Sequence, residues 1–237
     1  MKQQVVPNIQ RYEEDEMAAA KANHPKLAEV LQEPSLIGVP SALRILGIAD
    51  RVSYIVDPSL SLTCHNKAWD KFALENAAPK LAGLACIGTN ILSITDESLR
   101  PFYKDAFQKV QREKKVWEWR YTCSSPQVFR RCLMRVHPIS LSGWLLVTNS
   151  LIIESEHAAG TSDSALYVDV DKQIQVCVHC RCSKRVAQPE RWDFVPANLK
   201  PEMAVRQALC PICKLYFYPS CREKTVLREQ PRQRDNR

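Results

Sequence analysis

The chain has 237 residues, 45% of them hydrophobic, with 33 Lys and Arg against 26 Asp and Glu for a net charge of +7. That length suits one domain of ordinary size plus a smaller module, and the apolar content excludes a disordered protein. No apolar run reaches the roughly 18 residues of a membrane span, and Met1–Pro7 lacks the basic-then-apolar order of a secretion signal. The expectation is a soluble cytoplasmic protein with no membrane contact, whose ten cysteines are reduced or metal-bound rather than bridged.

Residues 1–44 form an N-terminal leader, acidic around Glu13–Glu16 and then Ala-rich. It predicts a helix from Tyr12 to Asn23 that breaks at Pro25, and a shorter helical piece over Lys26–Gln32. The leader has a thin apolar face, which leaves three readings open: packing on the main domain, pairing with a second copy of the chain, or a solvated extension. From Val52 the pattern changes. Val52–Val56 and Leu60–His65 alternate as two short strands around the Asp57-Pro58-Ser59 turn. Asn66 then starts a helix to Glu75, with Trp69, Phe72 and Ala73 on one side. Residues 76–95 are irregular, and an amphipathic helix follows over Ser98–Glu113, with Leu99, Phe102, Tyr103, Ala106, Phe107 and Val110 at three-four spacing. Val116–Cys123, Phe129–His137 and Trp144–Ile152 complete a set of five strands. Cys64, Cys86, Cys123 and Cys132 lie in apolar surroundings and fit as small core residues.

Two strands, a helical middle, one longer helix and a three-stranded meander make an order that resembles the PAS domain family over about residues 45–152. Asn66-Lys-Ala-Trp69-Asp-Lys-Phe72-Ala resembles the family's segment after its second strand, and Gly88-Thr-Asn90 its turn before the long helix. The resemblance implies an α+β fold, a five-stranded antiparallel sheet with flanking helices, within a domain at 45–153. It also implies sensing of a small ligand or protein docking, and association through flanking helices as a homodimer. Light-sensing flavin members carry a reactive Cys directly after the Gly-x-Asn turn, where this chain has Ile91. Haem-binding members offer a His from the long helix, which here has none; His65 and His137 fall in predicted strands. Trp69, Phe72, Phe102, Phe107, Trp117 and Trp119 either line a pocket for an uncoloured organic ligand or pack as core.

Residues 154–165 are small and polar and read as a linker. Residues 166–220 carry the chain's most specific motif, Cys177-x-x-Cys180 and Cys210-x-x-Cys213 across 29 intervening residues. Two thiolates grip an ion from one tight turn, and two such turns complete a four-sulfur tetrahedron, the closed geometry of structural zinc; a single iron suits it too. The site resembles a zinc ribbon, although Arg181 and Lys214 stand where zinc knuckles commonly have Gly. Their charges offset the negative charge of four thiolates. Cys182, His179 and Cys221 rank below the four as alternative ligands, and a closed site with no position for water points away from metal catalysis. Leu166–Val178 predicts a hairpin delivering the first pair, Trp192-Asp-Phe194-Val-Pro196 an aromatic plug, and Leu215–Tyr218 its extension. So small a module depends on its metal for folding.

All of the excess charge sits at this end: residues 172–237 hold 14 Lys and Arg against 6 acids, and 221–237 read as a basic disordered tail. Arg181, Lys184, Arg185 and Arg191 are candidate nucleic-acid contacts. Asp57, His65 and His137 show no catalytic spacing, and no phosphate-cradling loop is present, so no enzyme is expected. The function that follows is regulatory: a PAS-like sensing or docking domain coupled to a structural zinc module that contacts a signalling partner. The alternative is a transcriptional regulator that binds nucleic acid through the basic module and tail.

Overall fold

The computed structural model describes residues 51–125, 127–156, 164–200 and 202–220. The predicted leader at 1–44, most of the linker (157–163) and the basic tail, with Cys221, lie outside the described residues. Among the described residues no helix is long and apolar enough to cross a membrane. The chain divides into two compact units. The first holds residues 51–95, 103–120 and 132–152; the remaining described residues make the second.

Five strands, β1 (Val52–Val56), β2 (Leu62–His65), β3 (Trp117–Thr122), β4 (Val128–Pro138) and β5 (Leu145–Glu156), form one antiparallel sheet in the order β2-β1-β5-β4-β3. Helix α1 (Lys67–Glu75), two single 3-10 turns (Pro79–Leu81 and Gly83–Cys86) and helix α2 (Arg100–Glu113) are inserted between β2 and β3. The fold is α+β, as the element order predicts. The β1–β2 turn closes on Asp57: its Oδ1 accepts from the Ser59 and Ser61 amides, both at 2.9 Å, and from Ser59 Oγ at 2.6 Å. An Asx turn of this kind replaces backbone bonds that a short loop cannot make for itself.

Asn66 caps α1 and ties it to the sheet. Its Oδ1 accepts from the Trp69 amide at 3.2 Å and from the Ser53 amide at 3.1 Å, while Nδ2 donates to the Arg51 carbonyl at 2.8 Å. A capping side chain buried this way satisfies an orphan helix donor and a strand donor together. Beyond α1 the backbone at Gly88 runs with φ +88, a conformation that favours glycine, and the Gly88 amide donates to the Leu62 carbonyl at 2.7 Å. Asn90 then donates to the Ser59 carbonyl at 2.7 Å. Gly88 and Asn90, quoted for the PAS resemblance, therefore pin the irregular stretch to β2 and to the turn before it.

The first unit's core comprises Tyr54, Val56, Leu60, Leu62, Cys86, Ile91, Phe107, Val110, Val136, Leu145 and Val147. Helix α2 supplies Phe107 and Val110 from the face its three-four spacing predicts. Burial pushes the Cys64 thiol up to about 12, so it stays a protonated, inert core residue.

In the second unit, β6 (Ile174–Cys177), β7 (Cys182–Lys184), β8 (Trp192–Phe194) and β9 (Val205–Ala208) form a sheet in the order β8-β7-β6-β9, and helix α3 (Pro211–Phe217) follows. Its core is small: Tyr167, Ile174, Val176 and Val195, with Val168, Leu199 and Met203 against them. The predicted hairpin over Leu166–Val178 is reduced to a turn with a single bridge, Val168 to Ile174, because Asp169 Oδ1 binds the Asp171 and Gln173 amides at 3.0 and 2.9 Å and closes the loop early.

Candidate metal centre

Strands β6 and β9 are parallel, with Cys177 opposite Ala208. Parallel neighbours end on the same side of a sheet, so the chain leaving β6 and the chain leaving β9 emerge together. That brings the first thiol pair beside the second. After β6 the backbone turns through Cys177-Val-His-Cys180, closed by the Arg181 amide on the Cys177 carbonyl at 3.0 Å, and Arg181 takes φ +63 to enter β7. A left-handed residue is where knuckles favour Gly, and Arg181 accepts a strain of about 1 kcal/mol to stand there. Lys214 has no such constraint, because the second pair is built on a helix. Cys210 is the N-cap of α3, its Sγ accepting from the Cys213 amide at 3.4 Å, and Pro211 follows at the first helical position. Proline is preset for that position, where no amide is needed.

The four sulfurs of Cys177, Cys180, Cys210 and Cys213 lie within 4.8 Å of one another. Cys180 Sγ and Cys210 Sγ are 3.8 Å apart. A tetrahedron with metal–sulfur bonds of about 2.3 Å has edges of roughly 3.8 Å, so this spacing fits one ion held by four thiolates and is far too long for a disulfide. Cys177, Cys210 and Cys213 are buried and Cys180 is half-buried. Without an ion such a cluster cannot ionise fully. Hydrogen bonds from Cys180, Cys210 and Cys213 hold the Cys177 thiol far below its usual range, while the bond to Cys177 pushes Cys180 up to about 12. Cys210 and Cys213 are raised by the same neighbour. The four thiols therefore resist ionising together, and a bound cation displaces the protons they retain.

Two features left unassigned by the spacing complete the site. His179 Nε2 accepts from the Thr122 amide at 3.1 Å, so the ring proton sits on Nδ1, 3.3 Å from Cys213 Sγ. Burial holds this imidazole below its usual range, opposed by the charge at Cys177 and helped by Arg131 and Arg181. His179 is thus a neutral donor to a ligand sulfur and not itself a ligand. Trp192 packs against the cluster, and its buried indole N–H has no partner among the described residues. A donor beside thiolates lowers their charge density, and outer-shell donors of this kind typically govern metal affinity by about 10- to 100-fold. His179→Ala is expected to weaken metal binding by about that factor in competition with a chromophoric chelator; an affinity unchanged within twofold would remove His179 from the site. Cys182 stands outside the four, its Sγ 3.9 Å from the Cys180 carbonyl.

No protein-family model matches this chain. No curated protein matches it either.

The other predicted sites disperse. Phe107 lies in the first core, with Trp69 and Trp117 packed against it, and Trp119 stacks on Trp117 at 6.0 Å. Phe72 is 36% exposed. Phe102 belongs to the second unit, edge-on to Phe217 at 5.0 Å, where the Tyr218 hydroxyl also donates to the Ser98 carbonyl at 2.6 Å. A cleft of about 440 Å³ opens beside Pro58, Gln108, Gln111 and Gly143 and includes none of the six aromatic residues. His65 is held at the end of β2, its Nε2 at 3.0 Å from the Gly83 carbonyl and its ring stacked on Trp69. Of the basic candidates, Arg185 and Arg191 both bind Asp193, at 2.5 and 3.3 Å, and Tyr167 donates to the same carboxylate at 3.0 Å. Arg181 and Lys184 form no ion pair among the described residues.

Proposed function

We propose that this chain is a regulatory protein in which a PAS-like sensing or docking domain is coupled to a structural zinc module that meets a signalling partner by contact. The observation that carries it is the convergence of four thiols to within 4.8 Å of one another, a spacing that suits one metal ion. Four sulfur ligands leave zinc no open position, so the ion holds structure and does not activate water. The five-stranded antiparallel sheet, with its helices inserted between the second and third strands, supports the PAS-like reading of the first part. All nine described cysteines are unbridged, which fits the reducing cytoplasm. Nucleic-acid binding is second, because Asp193 occupies two of its four candidate arginine and lysine contacts.

The test is elemental analysis and an absorption spectrum of full-length protein purified without added metal, followed by co-purification from its native host. One zinc per chain, no visible absorption and a protein partner in fixed ratio are the expected results. Iron, haem or flavin absorption, or retention of nucleic acid with no protein, would overturn the reading.

A further inference from the structure

A fifth thiol sits at the edge of the sulfur cluster. Cys182 opens β7, opposite Phe194, and is separated from Cys180 by Arg181 alone. Its Sγ lies 3.9 Å from the Cys180 carbonyl, and the side chains of Cys180 and Cys182 are hydrogen-bonded to each other. Arg181 has φ +63. A left-handed residue brings the Cα atoms on either side of it to about 5.5 Å, inside the roughly 4.4–6.8 Å that a disulfide bridges. Cys182 is not one of the four sulfurs that converge within 4.8 Å, so an ion held by those four leaves its thiol outside the ligand set. Among the four, Cys177, Cys210 and Cys213 are 0%, 4% and 5% exposed, and Cys180 alone is half-buried. The most accessible ligand and the spare thiol are therefore neighbours.

We propose that Cys180 and Cys182 form an oxidative modification site, in which a small hydroperoxide oxidises Cys180, Cys182 captures it as a disulfide, and the metal is released. A bound ion keeps Cys180 a thiolate, the form that attacks peroxide. The sulfur attacks one peroxide oxygen; the O–O bond breaks, a sulfenic acid forms, and the departing hydroxide or alkoxide takes a proton from water. The Cys182 sulfur then attacks the sulfenic sulfur, an S–S bond forms, and the hydroxyl leaves with the thiol proton as water. The two sulfurs lose two electrons between them and the peroxide gains two. Cys210 is the competing partner, with its Sγ 3.8 Å from that of Cys180. It is buried and accepts from the Cys213 amide, and the ion holds it, whereas no metal bond restrains Cys182. The half-buried position of Cys180 favours a small oxidant over a protein disulfide. This inference rests on the structural metal site proposed above and makes the folding of the second unit responsive to peroxide.

The experiment uses the full zinc-loaded chain. Zinc is measured before treatment, and its release by hydrogen peroxide is followed with a chromophoric chelator. Trypsin cuts after Lys172, Arg181 and Lys184, which puts Cys182 on a peptide of its own. Mass spectrometry without reduction should find that peptide joined to residues 173–181, and fragmentation should place the bond on Cys180 and not on Cys177. Dithiothreitol and fresh zinc should then restore nearly all of the bound metal. Cys182→Ser should bind zinc as the unaltered chain does, yet recover less than about half of it after the same treatment, because an uncaptured sulfenic acid runs on to the irreversible sulfinic acid. A bond from Cys180 to Cys177, Cys210 or Cys213, no bond at all, or equal recovery in Cys182→Ser would each overturn the proposal. Loss of zinc from untreated Cys182→Ser would overturn it by making Cys182 a ligand. An unaltered, untreated chain that holds no metal would sink the metal site itself, and this inference with it.

Discussion

Replacing Cys210 and Cys213 together by Ser, or stripping the metal with a chelator, is expected to unfold the second unit. Among the described residues its main apolar cluster has four buried members, and Cys177, Cys210 and Cys213 form the neighbouring buried cluster. Structural zinc contributes about 10–16 kcal/mol of apparent binding energy in small zinc modules, as much as the roughly 5–15 kcal/mol that holds a whole domain folded. Hydrogen exchange across 164–220, followed by mass spectrometry, should show protection in the loaded protein and near-complete exchange in the stripped one. Acid should act like the chelator, because the cluster must shed protons to bind: affinity falls as pH falls. Retained protection after metal removal would show that the sheet β8-β7-β6-β9 stands without the ion.

Phe107→Ala should carry the largest cost of any single apolar truncation in the first unit. The side chain is 2% exposed, and its ring meets Trp117 at 6.5 Å and Tyr103 at 6.2 Å. Removing a buried phenyl group costs about 3–5 kcal/mol when the surroundings cannot collapse into the space. A large fall in the urea midpoint with unchanged metal content is the expected result. A loss below about 1 kcal/mol would mean that the neighbouring rings refill the site.

Much of this was legible because the signals were periodic. Helix α2 shows its buried face as Ala106, Phe107 and Val110, and β3 alternates Trp117 and Trp119 against Glu118 and Arg120. The cluster of Cys177, Cys180, Cys210 and Cys213 was legible because paired thiols have few other uses. What stayed hidden depends on long-range pairing. Nothing in Ile174–Cys177 or Val205–Ala208 announces that the two run parallel, with 27 residues between them. Pro211–Phe217 is too short to display helical periodicity, and its cap is a cysteine, a residue seldom read as one. His179 was visible as a neighbour of the thiols, but its bond to Cys213 follows from Thr122, 57 residues away.

The parallel register of β6 and β9 also sets which changes of length this chain can tolerate. With Cys177 opposite Ala208, Cys210 must follow two residues later to meet it. A single residue gained or lost between Ala208 and Cys210 turns both thiols of the second pair away, whereas the loop from Ala187 to Glu190, exposed throughout, can lengthen without moving any sulfur. Within the module, insertions are therefore expected on the near side of β8 and excluded on the far side of β9.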